Sequence, residues 1–471
     1  MSVVAPPPSR SVNSDPDIAE AQECCPSQEC LPEPEKIALQ QRVSIIERVK
    51  GLATHHAFLS IFDQGLVAGA SFVTSVLVGR YGGKEMLGLY ALAWSLTLFL
   101  RSVQEQVVSA PYVIYCRRKT GRRLAGYAGS SLLHQGTFSL LSIAGLSAAI
   151  PVVLWQSPGS PMVSVLAILT LAIPAVLLRE FARHYDFAHF KIYRAITLDG
   201  AATALQLILL ATLLYWNSLT AVTALAAMAI ACFVPTVVWL IAGASRFRFN
   251  ARRSVKDWNR NWFFAKWAVA SQLLGSAMTF VAPWIIVLTH GEAATGVFAA
   301  GSTLVGIANM FVIGVANYIG PKTAEAYAEG GVNRLVAVLK NTVTLFIVVL
   351  GIFCIGAFGI GNVLAAFVYG GDFAVAGPII AILSLNMFAN ALSITAGNGL
   401  WAMHEPAANF RADVASIVVG VIATVALIGP FGAAGAAFAL LASGVADCVI
   451  RFAILRVAVA NRRRQEGARN G

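Results

Sequence analysis

Twelve stretches of this chain are each long and apolar enough to cross a bilayer. They lie near residues 57–79, 86–113, 125–150, 161–180, 196–215, 221–243, 263–289, 295–318, 335–358, 374–400, 411–429 and 432–455. A span needs about 20 mostly apolar residues. Hydrocarbon offers no partner to an open backbone N–H or C=O, so each stretch must be a helix. The chain is 57% hydrophobic and 12% charged, with a mean hydropathy of +0.71, which is more apolar surface than a soluble domain of this length can bury. The expectation is an all-α polytopic membrane protein of about twelve helices.

The basic residues sort the connections into two kinds. Arg117, Arg118, Lys119, Arg122 and Arg123 follow the second stretch, and Arg179, Arg183, Lys191 and Arg194 surround the loop after the fourth. Seven more lie between Arg246 and Lys266 after the sixth; Lys322, Arg334, Lys340 and Arg411 follow the eighth and tenth, and a run from Arg451 to Arg469 closes the chain. The alternate connections carry only Arg80 and Lys84. Basic loops stay on the cytoplasmic side, so both termini are expected inside. The net charge of +11 is then accounted for by topology, with no call on nucleic acid.

The first residues differ in kind. Pro6 to Pro8, Pro16, Pro26, Pro32 and Pro34 with scattered acids make a segment that cannot bury a core, read as a disordered tail over 1–50. It has no signal-peptide apolar run, and the first span serves for insertion. Cys24, Cys25 and Cys30 lack a fourth metal ligand within the tail, so no metal is expected. Cys116, Cys232, Cys354 and Cys448 read as small packing residues.

An offset of 208 residues lays the first two spans on the seventh and eighth. Gln64 then meets Gln272, Ser71 meets Thr279, Phe72 meets Phe280, Gly88 meets Gly296 and Ala91 meets Ala299, without a gap. Six spans separate the copies, so both run in one direction, which implies two parallel-repeat six-helix lobes around a central cleft. The expected division is an N-lobe over 51–243, a cytoplasmic interfacial linker over 244–262 with Trp258 and Trp262 at headgroup level, a C-lobe over 263–458, and a basic tail over 459–471.

Ionisable groups at membrane depth are costly and mark function. Trp94, Thr97, Arg101 and Glu105 share one face of the second span, with Arg101 roughly 22 Å into the membrane and Glu105 placed to neutralise it at i+4. One reading gives Arg101 to an anionic substrate in a water-filled cleft; the other makes Arg101 and Glu105 a structural pair. Asn309 is the repeat counterpart of Arg101. Asp63, Asp199 and Asp413 each sit early in a span, as carboxylates that could exchange H⁺ or Na⁺, or as helix N-terminal caps or headgroup-level salt bridges. Asp447 and Arg451 read as an i,i+4 pair. Pro174, Pro235, Pro283 and the Gly351 to Gly361 cluster allow bending, while Gly429, Gly432 and Gly435 around Pro430 read as a tight turn. Asn386, Asn390 and Asn398 give the tenth span a polar face. No phosphate loop, nucleophile elbow or metal set occurs. The longest outer loop, around 359–373, is too short for a polymerase domain. Neither an enzyme nor a cofactor is expected.

Arg80-Tyr-Gly-Gly-Lys84-Glu-Met-Leu-Gly88-Leu-Tyr90-Ala resembles the "R-x-G-x-x-x-x-x-G-x-Y-A" pattern of bacterial polysaccharide (O-antigen type) flippases. These belong to the multidrug/oligosaccharidyl-lipid/polysaccharide exporter superfamily. Gly296-Val-Phe298-Ala-Ala, Pro321 and Gly429-Pro-Phe-Gly432-Ala-Ala-Gly435 extend the likeness over 57–457. The resemblance implies a bacterial inner-membrane flippase that carries undecaprenyl-diphosphate-linked oligosaccharide to the outer leaflet by alternating access, beside a glycan polymerase. It implies a cleft in which Arg101, Glu105, Asn309 and Trp94 meet substrate, with Arg80 and Lys84 near the outer mouth. Asp63, Asp199 and Asp413 are the ion-coupling candidates. The Cys- and Pro-containing tail departs from the pattern. A multidrug cation antiporter of the same superfamily and a scaffold of a glycan assembly complex are the alternatives. A major-facilitator transporter would need an Asp ahead of Gly121-Arg122-Arg123, which is absent.

Overall fold

A computed structural model describes the backbone of residues 33–470 and the side chains of 62–465, apart from 274, 275, 277 and 278. The cysteines at 24, 25 and 30 lie outside the described residues. Residues 59–471 form one compact unit that contains every contact discussed below; the described part of the other unit, residues 33–58, is helical. Nine α-helices run in the described residues: α1 Glu33–Gln104, α2 Ala110–Cys116, α3 Gly121–Gln156, α4 Pro161–Ala188, α5 Ile192–Tyr215, α6 Ala221–Ala242, α7 Ala251–Tyr369, α8 Gly377–Ala402 and α9 Pro406–Asn470. A five-residue π turn, Glu105–Ser109, joins α1 to α2. Among the described residues, eight helical stretches are long and apolar enough to cross a membrane.

Three of the helices are longer than any bilayer, and glycines divide them. Gly83 breaks α1, Gly291 and the pair Gly330–Gly331 break α7, and Gly432 breaks α9. Gly83 has φ 80 and ψ −175, and Gly291 has φ 80 and ψ −177. Only glycine enters that region without a steric cost. The two residues are 208 positions apart, so the sequence repeat is reproduced in backbone conformation. The turn expected around Pro430 is the break at Gly432.

Where the repeats meet, glycines again decide the distance. A Cβ on Gly88 would collide with the Glu292 carbonyl, and one on Gly296 would collide with the Lys84 carbonyl. Lys84 and Glu292 are themselves repeat partners, so each copy presents the same surface to the other. Across this seam the indole of Trp284 donates to Ser95 Oγ at 3.0 Å, and Ser75 Oγ lies 3.2 Å from Thr303 Oγ1 and 3.3 Å from the Tyr369 hydroxyl.

The molecule is apolar outside and charged within. Leu140, Leu171, Ile355, Phe367 and Val425 are among many large apolar side chains left exposed, while Asp63, Arg179, Glu180, Arg183 and Asp199 are buried. Water as the surrounding solvent would penalise such a surface; lipid does not. The chain is a multi-pass membrane protein.

Several expectations are corrected. Arg179 and Arg183 are not loop residues: α4 continues to Ala188 and carries both into the interior. Phe181 and Ala182 between them and Tyr185 just beyond are buried, and that packing holds the helix together through a charged stretch. The outer loop expected around 359–373 is largely helix. α7 runs to Tyr369, and only Gly370 and a 3-10 turn, Gly371–Ala376, separate it from α8. Backbone groups near hydrocarbon are satisfied best by continuing the helix. Asp199 and Asp413 lie about two turns inside α5 and α9, so neither caps a helix N-terminus.

The segment before α7 and the first turns of α7 dock on α3. Asn250 caps α7 by accepting from Arg253 N at 3.0 Å, so the interfacial helix and the following span are one rod. Arg248 N donates to Ala125 O at 3.0 Å, and Arg253 Nη2 donates to Arg123 O at 2.7 Å. Asp257 gathers Lys119 at 3.4 Å, Arg260 at 3.4 Å and Arg253 at 3.6 Å. Burial lowers the Lys119 ammonium from its ordinary pKa, and Asp257 partly offsets this. Trp258 packs edge-on against His134 of α3 at 5.2 Å, whereas Trp262 is 46% exposed. A Cβ at Gly129 of α3 would collide with the Arg248 backbone. Gly129→Val should therefore lower thermal stability by about 1–3 kcal/mol, the usual cost of overpacking, as read by a thermal shift of the detergent-solubilised protein. An unshifted transition would show that the linker does not rest on α3.

Candidate transport site

A cavity of about 780 Å³ lies where the two copies of the repeat face each other. Residues 64–75 and 87–101 of α1 and 279–310 of α7 form its walls, with Leu440 of α9. Leu87, Tyr90, Thr295 and Phe298, near the paired glycines, are buried, whereas Gln64, Asn309 and Met310 at the other end are exposed. The cavity is thus closed at the glycine end and open at the end that holds Arg101. Trp94, stacked on Tyr90 with ring centroids 6.4 Å apart, lies between.

Of the expected substrate residues, Arg101, Asn309 and Trp94 line this cavity. The repeat partners Arg101 and Asn309 reach it from opposite walls. Arg101 is the one charged side chain among its described lining residues. Thr97 is buried and turns back to donate to Ala93 O at 2.8 Å. Arg80 and Lys84 do not line it. Arg80 Nη1 instead donates to Phe367 O at 2.7 Å and Val368 O at 3.2 Å, at the C-terminal end of α7, where a cation meets unpaired carbonyls.

Glu105 is not the partner of Arg101. Arg101 Nη2 lies 2.7 Å from Glu180 Oε1 of α4, and Glu105, half exposed, is 4.0 Å from His184 Nε2. An Arg placed N-terminal to its Glu is the weaker i,i+4 order. The buried Glu180 also needs a cation more than the exposed Glu105 does.

Glu180 belongs to a network that the sequence reading did not assemble. Arg183 Nη2 donates to Asp63 Oδ2 at 2.8 Å, and its Nε lies 2.9 Å from Asp199 Oδ2. Arg179 Nε donates to Asp199 Oδ1 at 2.8 Å. Three carboxylates (Asp63, Glu180, Asp199) and three guanidinium groups (Arg101, Arg179, Arg183) thus join α1, α4 and α5, with formal charges in balance. Asp63 and Asp199 line neither of the two larger cavities. The available signal was the Arg179-Glu180-x-x-Arg183-His184 spacing, which marks one helical face once α4 is continued past residue 180.

No protein-family model matches the chain. Over 224 residues it is 25% identical to a protein of Haloferax volcanii described as a probable low-salt glycan biosynthesis flippase, Agl15. That alignment covers 47% of this chain and 46% of the relative, so the chain spans about half the length of the curated relative it matches. Among solved structures, the lipid II flippase MurJ in an inward closed conformation is similar with a TM-score of 0.69 and 14% identity, over 86% of this chain and 87% of that one. An inward-facing multidrug resistance MATE family transporter of the MOP superfamily is similar with a TM-score of 0.66 and 14% identity, over 84% and 95%. The chain shares the fold of these two proteins.

Within that fold a second cavity of about 550 Å³ adjoins the first, sharing Thr279, Ser302, Gly306, Asn309 and Leu440 with it. Asn386 and Asn390 of α8 and Asp413, Asp447 and Arg451 of α9 line it. Arg451 holds Asp447 at 2.9 Å, donates to Asn409 Oδ1 at 2.8 Å and pairs with Asp413; Ser393 donates to Asp447. The expected Asp447–Arg451 pair is present, and Asp413 joins it from across the helix break at Gly432. Asn398 instead turns back to donate to Ile394 O at 3.0 Å. Among the described residues no cluster of His, Cys, Asp and Glu could hold a metal ion.

Proposed function

We propose that this chain flips a lipid-linked oligosaccharide, carried on undecaprenyl diphosphate, from the inner to the outer leaflet by alternating access. The observation that carries this reading is Arg101. It is the one charged group among the described lining residues of a large cavity between two copies of a repeat, whose other walls are apolar, hydroxyl- and amide-bearing. A single guanidinium suits one diphosphate and leaves the rest of the wall to a neutral or weakly acidic glycan. The similarity to proteins named as a glycan biosynthesis flippase and a lipid II flippase supports it.

The proposed plan is twelve spans in two parallel six-helix lobes joined by the 244–262 linker, which the glycine breaks in α1, α7 and α9 support. With the basic connections inside, both termini are cytoplasmic, the membrane is the bacterial inner membrane, and the cavity opens to the cytoplasm at the Arg101 end. H⁺ or Na⁺ exchange at Asp63, Asp199 or Asp413 and a partner polymerase complete the proposal.

The test is genetic and chemical. A deletion strain should accumulate lipid-linked oligosaccharide facing the cytoplasm, and Arg101→Ala should restore less than about a tenth of surface polymer, the loss of at least one charge-assisted contact. Normal surface polymer in the deletion strain, or full rescue by Arg101→Ala, would reject the reading.

A further inference from the structure

We propose that Glu180 is a built-in competitor for the substrate's diphosphate: it holds Arg101 while the cavity is empty and yields it when the anion arrives. This rests on reading the main cavity as the path of the lipid-linked glycan.

The geometry places Glu180 directly behind the cation. Arg101 is 23% exposed and lines the main cavity, while Glu180, 5% exposed, reaches its guanidinium at 2.7 Å from the protein side. Both line a second, smaller space of about 210 Å³ beside Ser102 and His184. An anion entering the cavity therefore meets an arginine that is already neutralised.

Displacement leaves Glu180 with alternatives. Its Oε2 is 3.9 Å from Arg183 Nη1, a distance at which a small rotation makes an ion pair. Arg183 is the hub of the network, since it also holds Asp63 and Asp199. Releasing Arg101 thus exchanges one partner of Glu180 for another and strands no buried carboxylate, the outcome that would carry the heaviest penalty. The reverse exchange expels the diphosphate: Glu180 returns to Arg101 as the anion departs. A phosphate can take the guanidinium through two parallel bonds, so without a competitor it would be held tightly and released slowly. The arrangement trades affinity for turnover.

The exchange has a direct readout, because Trp94 lies on the cavity wall with Arg101. Binding of farnesyl diphosphate, and separately of sodium glucuronate, to the purified full-length chain in nanodiscs would be followed by tryptophan fluorescence. Glu180→Gln is expected to bind farnesyl diphosphate about tenfold more tightly than the wild type and Arg101→Gln about tenfold more weakly, each change being on the scale of one charge-assisted hydrogen bond. In cells Glu180→Gln should export less surface glycan despite its higher affinity. Glu180→Asp keeps the charge balance but withdraws the carboxylate by one methylene, and should also tighten binding, which covers the case in which the Gln variant does not fold. Wild-type affinity in folded Glu180→Asp or Glu180→Gln, with Arg101→Gln weakened, overturns the competitor role alone. No binding of farnesyl diphosphate by any variant removes the flippase reading with it. Tightening for glucuronate but not for farnesyl diphosphate overturns the assignment of the anion to the lipid's diphosphate.

Discussion

Arg183→Met should destabilise the protein by about 3–5 kcal/mol, because it leaves two buried carboxylates short of a cation at once. Asp63 is 1% exposed and Asp199 is fully buried, and both depend on Arg183. Asp63 has no other cation among the ion pairs of the described residues; Asp199 keeps Arg179. Adding Asp63→Asn to Arg183→Met should recover much of the loss, since the neutral amide removes the stranded charge, and the non-additivity of the pair measures their coupling. Thermal unfolding of the purified single and double variants reads this out. Simple additivity of the two substitutions would show that the interior tolerates the charges separately and that no network exists.

Gly88→Val should abolish transport without unfolding the chain. A side chain there meets the Glu292 carbonyl, which is fixed in its own helix and cannot rotate away as a flexible side chain would. Overpacking of this kind costs about 3 kcal/mol, a factor of roughly 100 in the equilibrium between the arrangement closed at the glycine end and any arrangement in which the copies separate there. Gly296→Val should act in the same way against the Lys84 carbonyl. Labelling of a Ser75→Cys probe by an impermeant thiol reagent gives the direction. Ser75 lies on the cavity wall toward the closed end, so in the proposed topology the substitution should open it to reagent added outside. Wild-type export with unchanged labelling would mean that the glycine contact does not govern access.

Both predictions concern contacts that a sequence displays unequally. The glycine pair was visible: Gly88 and Gly296 coincide at the 208-residue offset, and matched glycines in helices imply close backbone approach. The offset does not reveal that they pack against each other, or that Gly83 and Gly291 share a left-handed break. Arg101, Trp94 and Asn309 were legible as a set because helical spacing and the repeat place them. The contact of Arg80 with the end of α7 was not legible, because a basic residue near a span end can serve a helix C-terminus from another part of the chain, which local spacing does not show.

The charge network was hidden for a related reason. Arg179 and Arg183 look like a cytoplasmic loop when charge alone marks the end of a span; buried Phe181 and Tyr185 show that the helix continues. Asp63 and Arg183 are 120 residues apart. No periodicity links them, and each alone is an expensive group without a visible partner. The pairing of Arg101 with Glu105 was the natural local choice, and a residue from α4 displaced it.

Sequence by itself determined the solvent and the helical class. Those are properties of single segments, set by apolar length and by the need to satisfy every backbone group in hydrocarbon. Only tertiary structure decided which charge neutralises which, where the repeats touch and which residues face the cavity. Those outcomes depend on how helices distant in the chain are rotated and packed against one another, and a buried charge takes the partner that packing brings within reach.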